Sequence, residues 1–470
     1  MLRRPLAFAL TLALLPASAF AQDLVQTYEL ARSGDPQLSI AESNRQISHE
    51  GAVQARAALL PQLDGSVGLN RSYVAGQDGS SRSRTYGAGL SQTVFDLSQI
   101  SNLRAQRQLD TAASFDLTAA NQSLITRTSA AYFDVLVAIE TLAAAEASEE
   151  ALQTQFDFAS RRLEVGLAPI TDVHEARARY DGARAQVILS RNALEDAYQA
   201  LAEITGTPVR SLRALPEDFQ PEVPAGGDVE SWVAAAVEQN PSLRAAEYSV
   251  RAAEHAVTSA RSGHLPRLSL GANYSNNAYW GGIQGVGQVP DPDNPGLPTT
   301  TSDREAYGVG LTLTVPIFSG GATQSRVREA IARRDIAADQ LTQTRRALER
   351  NARNAYQTVV AGVSEVEARR LAVISARSAY DASQVGLEVG TRTVVDVLIN
   401  QQTLFQAEEQ FALARYNFLQ NRLLLSQAVG TLGISDLQDV NRLLTVDANA
   451  PTTSPTAPVG SQQQPSPPPQ

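Results

Sequence analysis

Two short stretches hold the polar residues whose types and spacing could do chemistry. In residues 389–398, VGTRTVVDVL, Arg392 stands four residues before Asp396 in an otherwise apolar run, and residues 165–173, VGLAPITDV, put Thr171 and Asp172 in the same frame. Gly390 and Asp396 lie 224 residues after Gly166 and Asp172. In both stretches a glycine ends one helical pattern and an aspartate falls in the first turn of the next. A carboxylate there complements the helix dipole by about 0.3–1 kcal/mol. Spacing alone favours that capping role.

Catalysis finds no comparable foothold. No nucleophile with a neighbouring base, and no carboxylate pair, can be picked out. His49, His174, His255 and His264 show no metal-ligand spacing, and the chain has no Cys. The glycines of GGIQGVG at 281 lack the Lys and the strand-to-helix setting of a phosphate loop. No catalytic residue, metal or cofactor is expected, and the chain is not read as an enzyme. With 49 acidic against 39 basic residues, all of the latter Arg, nothing in the charge favours nucleic acid.

Residues 1–21 combine a basic start at Arg3 and Arg4, an apolar stretch and small residues at Ala19 and Ala21, the pattern of a cleaved secretory signal. No later segment holds the roughly 18–20 uninterrupted apolar residues of a spanning helix, so membrane entry would require a barrel. An internal repeat organises the remainder. Pro36 and Pro61 map onto Pro241 and Pro266 with an offset of 205, whereas Phe95, Tyr132 and Gly206 map onto Phe318, Tyr356 and Gly430 with offsets of 223 or 224. The extra length therefore lies between residues 266 and 318, as a surface loop.

Both sides of that loop alternate with period two. Leu268, Leu270, Ala272 and Tyr274 oppose Ser269, Gly271 and Asn273, and Tyr307, Val309, Leu311 and Leu313 oppose Gly308, Gly310 and Thr312. The first copy repeats this with Leu63, Val67 and Leu69, then Tyr86, Ala88 and Leu90. These are strands with one apolar face. Leu97 to Val165 holds neither Pro nor Gly, which predicts a helical rod of roughly 100 Å. Along it Leu124, Thr128, Ala131, Val135, Ala138, Leu142, Ala145, Glu149, Leu152, Phe156, Ala159 and Leu163 keep a four-three spacing, repeated 224 residues later from Leu348 to Leu387 with Arg369 as the main break. Such a seam predicts coiled-coil packing. Two shorter helices per repeat, about 36–60 and 170–204 in the first, nearly match the long one and could stack end to end beside it. Four strands cannot close a barrel with a lumen, so their edges need partners and the chain should oligomerise.

VGLAPITDV, VGTRTVVDVL, ARYNFLQNRLLLSQAVGTL at 414 and the paired LLPQL and HLPRL resemble the TolC family of outer-membrane exit ducts, over about residues 23–435. The resemblance implies a mainly α fold with a small β part. Two tandem repeats per chain would form a homotrimer with a 12-stranded β-barrel and a 12-helix periplasmic α-barrel. It implies a passive channel for multidrug efflux or type I secretion. The partners would be a periplasmic membrane-fusion adaptor, an inner-membrane transporter of the RND or ABC type, and outer-membrane lipid. The spans become a signal peptide (1–21), first-repeat helices (22–61 and 97–206) around a β-hairpin (62–96), and an equatorial segment (207–245). Second-repeat helices (246–265 and 321–430) around a longer hairpin (266–318), a second equatorial segment (431–448) and a disordered tail (449–470) follow.

By the same resemblance Arg392, linked to Asp172 and Thr171, holds the tunnel mouth closed, and one Asp396 per protomer forms a cation-attracting ring. Gly166, Leu167, Gly390 and Thr391 would be the tips that meet the adaptor. Many relatives carry an Asp where this chain has Ile399 and a Tyr where it has Leu387, which implies a less acidic mouth with fewer polar links. The alternative from a different class is a soluble periplasmic coiled-coil adaptor or scaffold, its strands forming a small sandwich.

Overall fold

The computed structural model describes residues 22–73, 81–167, 169–216, 218–223, 227–281, 289–290, 298–299 and 302–448. The expected signal peptide, the tail from 449 and nearly all of the GGIQGVG stretch lie outside the described residues.

Each repeat opens with a capped pair of helices: α1 (Leu24–Gly34) and α2 (Pro36–Ala57) in the first, α5 (Val229–Gln239) and α6 (Pro241–Arg261) in the second. The caps repeat with the helices. Asp23 and Asp228 accept backbone N–H groups in the first turns of α1 and α5. Asp35 and Asn240 do the same for α2 and α6, each followed by a Pro whose missing N–H costs nothing there. The repeat thus begins at Asp23 in the first copy and at Asp228 in the second. The boundary expected at 245/246 falls inside α6, and α5 is the counterpart of α1.

Strands β1 (Gln62–Ser72) and β2 (Ser81–Phe95) lead into α3 (Leu97–Glu164), which returns through α4 (Ile170–Thr205) to the short strand β3 (Arg213–Ala214). In the second repeat β4 (Arg267–Gly281) is followed by two short strands, β5 (Val289–Pro290) and β6 (Pro298–Thr299), in the long loop. Then come β7 (Ser302–Thr314), α7 (Ala322–Glu388) and α8 (Val394–Val429), with α9 (Ile434–Leu443) and β8 (Val446–Asp447) closing the chain. The long helices, 68 and 67 residues, match the predicted rods.

The four long strands form one antiparallel sheet in the order β1-β2-β4-β7. Its register sorts the side chains by face. Leu63, Leu90, Ala272 and Val309 lie in one row across all four strands, and Gly65, Ala88, Tyr274 and Tyr307 in another. The opposite face carries Asp64, Gly89, Asn273 and Gly308 in one row and Gln62, Ser91, Gly271 and Gly310 in another. The apolar face is open, with Val67 and Val309 each 80 % exposed.

The helices follow the same order. Next to the sheet they run α2-α3-α6-α7, and farther from it α4-α3-α8-α7. α4 continues α2 and α8 continues α6. At the first junction a Cβ on Gly34 would fall 2.6 Å from the Thr205 carbonyl oxygen, and at the second a Cβ on Gly430 would fall 2.7 Å from Asn240 Cα. The end-to-end stacking predicted from helix lengths is therefore present, with glycines where the ends touch. Every predicted seam position of α3 and α7 is buried or half-buried, Arg369 included, while most other positions of lower α7 are exposed. α3 also holds a window apolar enough, by length and composition, to cross a membrane (mean hydropathy 1.3), which counting uninterrupted runs had excluded. Leu124, Tyr132, Phe133, Val135 and Leu136 of α3 pack into the core, so apolarity there serves packing.

That core sits at mid-height, where α1, α5, α9 and the β3–β8 pair gather against α3, α7 and α8. Residues of the 207–245 and 431–448 stretches thus pair directly, through β3 and β8.

Candidate functional site at the helix tips

Both long helices end in the same turn. Gly166 and Gly390 take left-handed backbone, φ +76° and +75°. The Gly166 N–H donates to the Leu163 carbonyl (2.9 Å) and the Leu167 N–H to that of Arg162 (2.8 Å), while Gly390 donates to Leu387 (3.2 Å) and Thr391 to Gly386 (2.8 Å). These paired bonds satisfy carbonyls that a helix end leaves open. The second tip is tied more tightly. The Gly386 carbonyl also accepts the Arg392 N–H at 3.1 Å and the Thr391 hydroxyl at 3.1 Å. Arg392 folds back so closely that a Cβ on Gly386 would lie 2.6 Å from Arg392 Cγ. Gly386 is therefore part of the tip, which no spacing motif disclosed.

Asp396 closes a capping box with Thr393. Its Oδ2 accepts the Thr393 N–H at 2.9 Å and the Thr393 hydroxyl at 2.8 Å, and its own N–H donates to Thr393 Oγ1 at 3.2 Å. Those bonds, first the backbone one, with a smaller contribution from the Arg392 charge, hold the carboxyl below its ordinary 3.8. It is ionised at neutral pH. The capping role favoured by spacing is thus real within one chain.

The first tip is looser. The Asp172 N–H donates to the Pro169 carbonyl at 3.2 Å, and the Thr171 hydroxyl reaches Asp172 Oδ1 at 3.4 Å. Within one chain, among the described residues, no side-chain bond joins Arg392 to Asp172 or Thr171, and the two hairpins α3–α4 and α7–α8 each close on themselves. Phe156 stacks on Tyr180 across the first (6.2 Å), and Arg377 pairs with Glu408 across the second (2.6 Å). Leu387 lies half-buried on the α7 seam, whereas Ile399 is exposed. Val165, Leu167 and Val389 form an exposed apolar crown at the turns.

Two features away from the tips also bear on function. A cavity of about 880 Å³ between α3, α6, α7 and α8 is lined by Gln122, Asn240, Asn351, Asn354, Asn421 and Gln427, without a charged side chain. At mid-height the buried Arg415 donates to Glu140 (2.9 Å) and to the Pro216 carbonyl (3.2 Å), and Tyr416 donates to Glu140 at 3.0 Å. This clamp ties α3 and α8 to the stretch that follows β3. No spacing motif disclosed it.

The profile of the outer membrane efflux protein family matches residues 27–207 and 232–431, one match for each repeat. Outer membrane protein TolC of Escherichia coli (strain K12) is 34 % identical over 466 residues, covering 97 % of this chain and 92 % of its own. The alkaline protease secretion protein AprF of Pseudomonas aeruginosa is 28 % identical, covering 92 % and 89 %. Among solved structures, the Campylobacter jejuni CmeC outer membrane channel superposes with a TM-score of 0.75 at 18 % identity, covering 90 % of each chain. The repeated caps, the two hairpins, the glycine-jointed struts and these matches agree: the chain belongs to the outer membrane efflux protein family.

Proposed function

We propose that the chain is the outer-membrane exit duct of an efflux or secretion assembly, a passive conduit and not an enzyme. One observation carries this reading. The sheet and the helices form arcs with the same strand and strut order, and both arcs end in open edges, β1 with α2 and α4 on one side, β7 with α7 on the other. An open edge is a liability unless it is paired. Three copies, edge to edge, would give a closed 12-stranded barrel continued by a helical tunnel. The apolar face of the sheet would meet lipid, and the small, glycine-rich face would line a lumen. The uncharged cavity wall suits passage rather than capture. A soluble adaptor would have no use for an open apolar sheet face, and the relatives give that alternative no support.

In this reading the two hairpin tips are the periplasmic mouth, with Asp396 at the constriction and Arg392 reaching Asp172 and Thr171 across to the other hairpin. The exposed crown of Val165, Leu167 and Val389 is a docking face for a periplasmic membrane-fusion adaptor working with an inner-membrane transporter. Planar-bilayer conductance tests the gate. Wild type should give small, cation-selective currents, Asp396→Ala should lose the selectivity, and Arg392→Ala should conduct more. A trimer whose selectivity survives Asp396→Ala would remove the acidic ring.

A further inference from the structure

The 224-residue repeat relates α3 to α7 and α4 to α8, so the packing of α3 on α8 inside one chain has a counterpart between chains. In a closed ring that counterpart is α7 of one copy against α4 of the next. The inference rests on the ring reading above, and the internal interface then says which residues meet.

Inside the chain two neutral amides bridge α3 and α8 near mid-height. Gln122 donates to the Gly430 carbonyl at 2.7 Å, and Gln420 donates to the Thr126 carbonyl at 3.1 Å. Shifted by 224, Gln122 becomes Arg346, Thr126 becomes Arg350, Gly430 becomes Gly206 and Gln420 becomes Asp196. Every amide at the internal junction is replaced by a charge at the external one, and the signs are opposite on the two edges.

The side chains point the right way. Arg346 and Arg350 each stand two residues from the buried Leu348, about 200° round the helix from the seam. Both are exposed. With Arg353 and one carboxylate, Glu349, they line a shallow pocket of about 300 Å³ on the outer edge of α7, where Arg350 donates to Asn351 Oδ1 at 3.4 Å. Arg353 is engaged by Glu230 of its own chain at 3.0 Å, whereas among the described residues Arg346 has no ion pair. On α4, Asp196 stands two residues before the buried Tyr198 and is exposed. Its neighbour Glu195 is committed to Arg210 at 2.6 Å, while Asp196 makes no side-chain bond among the described residues. Gly206 caps the C-terminus of α4, the negative end of its dipole.

We propose that Arg346 and Arg350 of α7 clasp the end of α4 on a second copy of this chain, Arg346 on the Gly206 carbonyl and Arg350 on Asp196. Each junction between copies is then an ionic version of the neutral junction within a copy. The consequence is selective: salt weakens subunit contacts and leaves the fold of each subunit alone. The screening length falls from about 10 Å at 0.1 M to about 3 Å at 1 M salt.

The chain has no Cys, so a cysteine pair reports placement cleanly. Full-length protein carrying Asp196→Cys with Arg350→Cys, treated in membranes with a short bis-maleimide, should give covalent dimers and trimers that neither single variant gives. A variant with Asp196→Gln, Arg346→Gln and Arg350→Thr copies the internal junction. Wild-type trimers should dissociate at a lower temperature as salt rises, and the triple variant should stay trimeric without that drop. Native mass spectrometry separates the two levels of failure. A wild-type monomer would overturn the ring reading, whereas a trimer with no cross-link, or with salt dependence unchanged by the triple variant, would overturn the clasp alone.

Discussion

At the residue scale, the second tip owes its shape to one missing side chain. Gly386 offers its carbonyl to three donors and its bare Cα to Arg392, so Gly386→Ala must push the guanidinium stem away by its first carbons. Single-channel conductance of Gly386→Ala should rise, in the direction expected for Arg392→Ala, and a wild-type conductance would mean that Arg392 is not the latch. The Asp396 carboxyl supports a second prediction. Its pKa is lower folded than unfolded, so its cap is fully formed above the ordinary Asp value of 3.8 and is lost only as pH falls through the lower folded value. Cation selectivity should therefore stay constant from about pH 7 to about pH 5. A midpoint near pH 6 would show that repulsion among three carboxylates outweighs the Thr393 bonds. Spacing located Arg392 and Asp396 because charges in an apolar run stand out. Gly386 and Thr393 escaped because a close approach and a reciprocal cap depend on how the chain turns back.

At the element scale, helix lengths, the four-three seam and the strand alternation were all legible, since each is a periodicity along one chain segment. The doubled α1 and α5 were not. They are eleven residues each and share few identical side chains, so only their Asp caps and their common offset betray the kinship. The buried Arg415–Glu140 clamp was equally hidden, because it joins residues 275 apart. The struts make a prediction from their joints. Gly206 and Gly430 both cap helices with positive φ, 70° and 90°, where an alanine costs about 1–2 kcal/mol. They differ in room. An added Cβ at Gly206 has its nearest neighbour at 3.6 Å, but at Gly430 it meets Asn240 Cα, the Gln239 carbonyl and Pro241 within 2.9 Å. Thermal unfolding should show Gly430→Ala as clearly the more damaging of the two. Equal losses would mean that the α8–α6 joint yields.

At the scale of the whole molecule, what a single sequence hides is which faces are finished. Alternation announced an apolar strand face, but only the register shows that the rows line up across all four strands, so that the open face is continuous. Leu311 lies on that face, 62 % exposed, and Thr312 on the opposite one. If the sheet is part of a lipid-facing barrel, a carboxylate at 311 is driven into hydrocarbon. Basic residues at the midplane of such barrels cost about 2–4 kcal/mol, and acidic ones less. A carboxylate at 312 stays in water. Leu311→Asp should reduce the heat-modifiable oligomer recovered from outer membranes, and Leu311→Arg should reduce it further. Thr312→Asp and Thr312→Arg should assemble as wild type does. A soluble sandwich would bury one face of its sheet against protein and would not rank the four variants by lipid depth. Equal assembly of all four would therefore remove the barrel from the reading while leaving the helical struts intact.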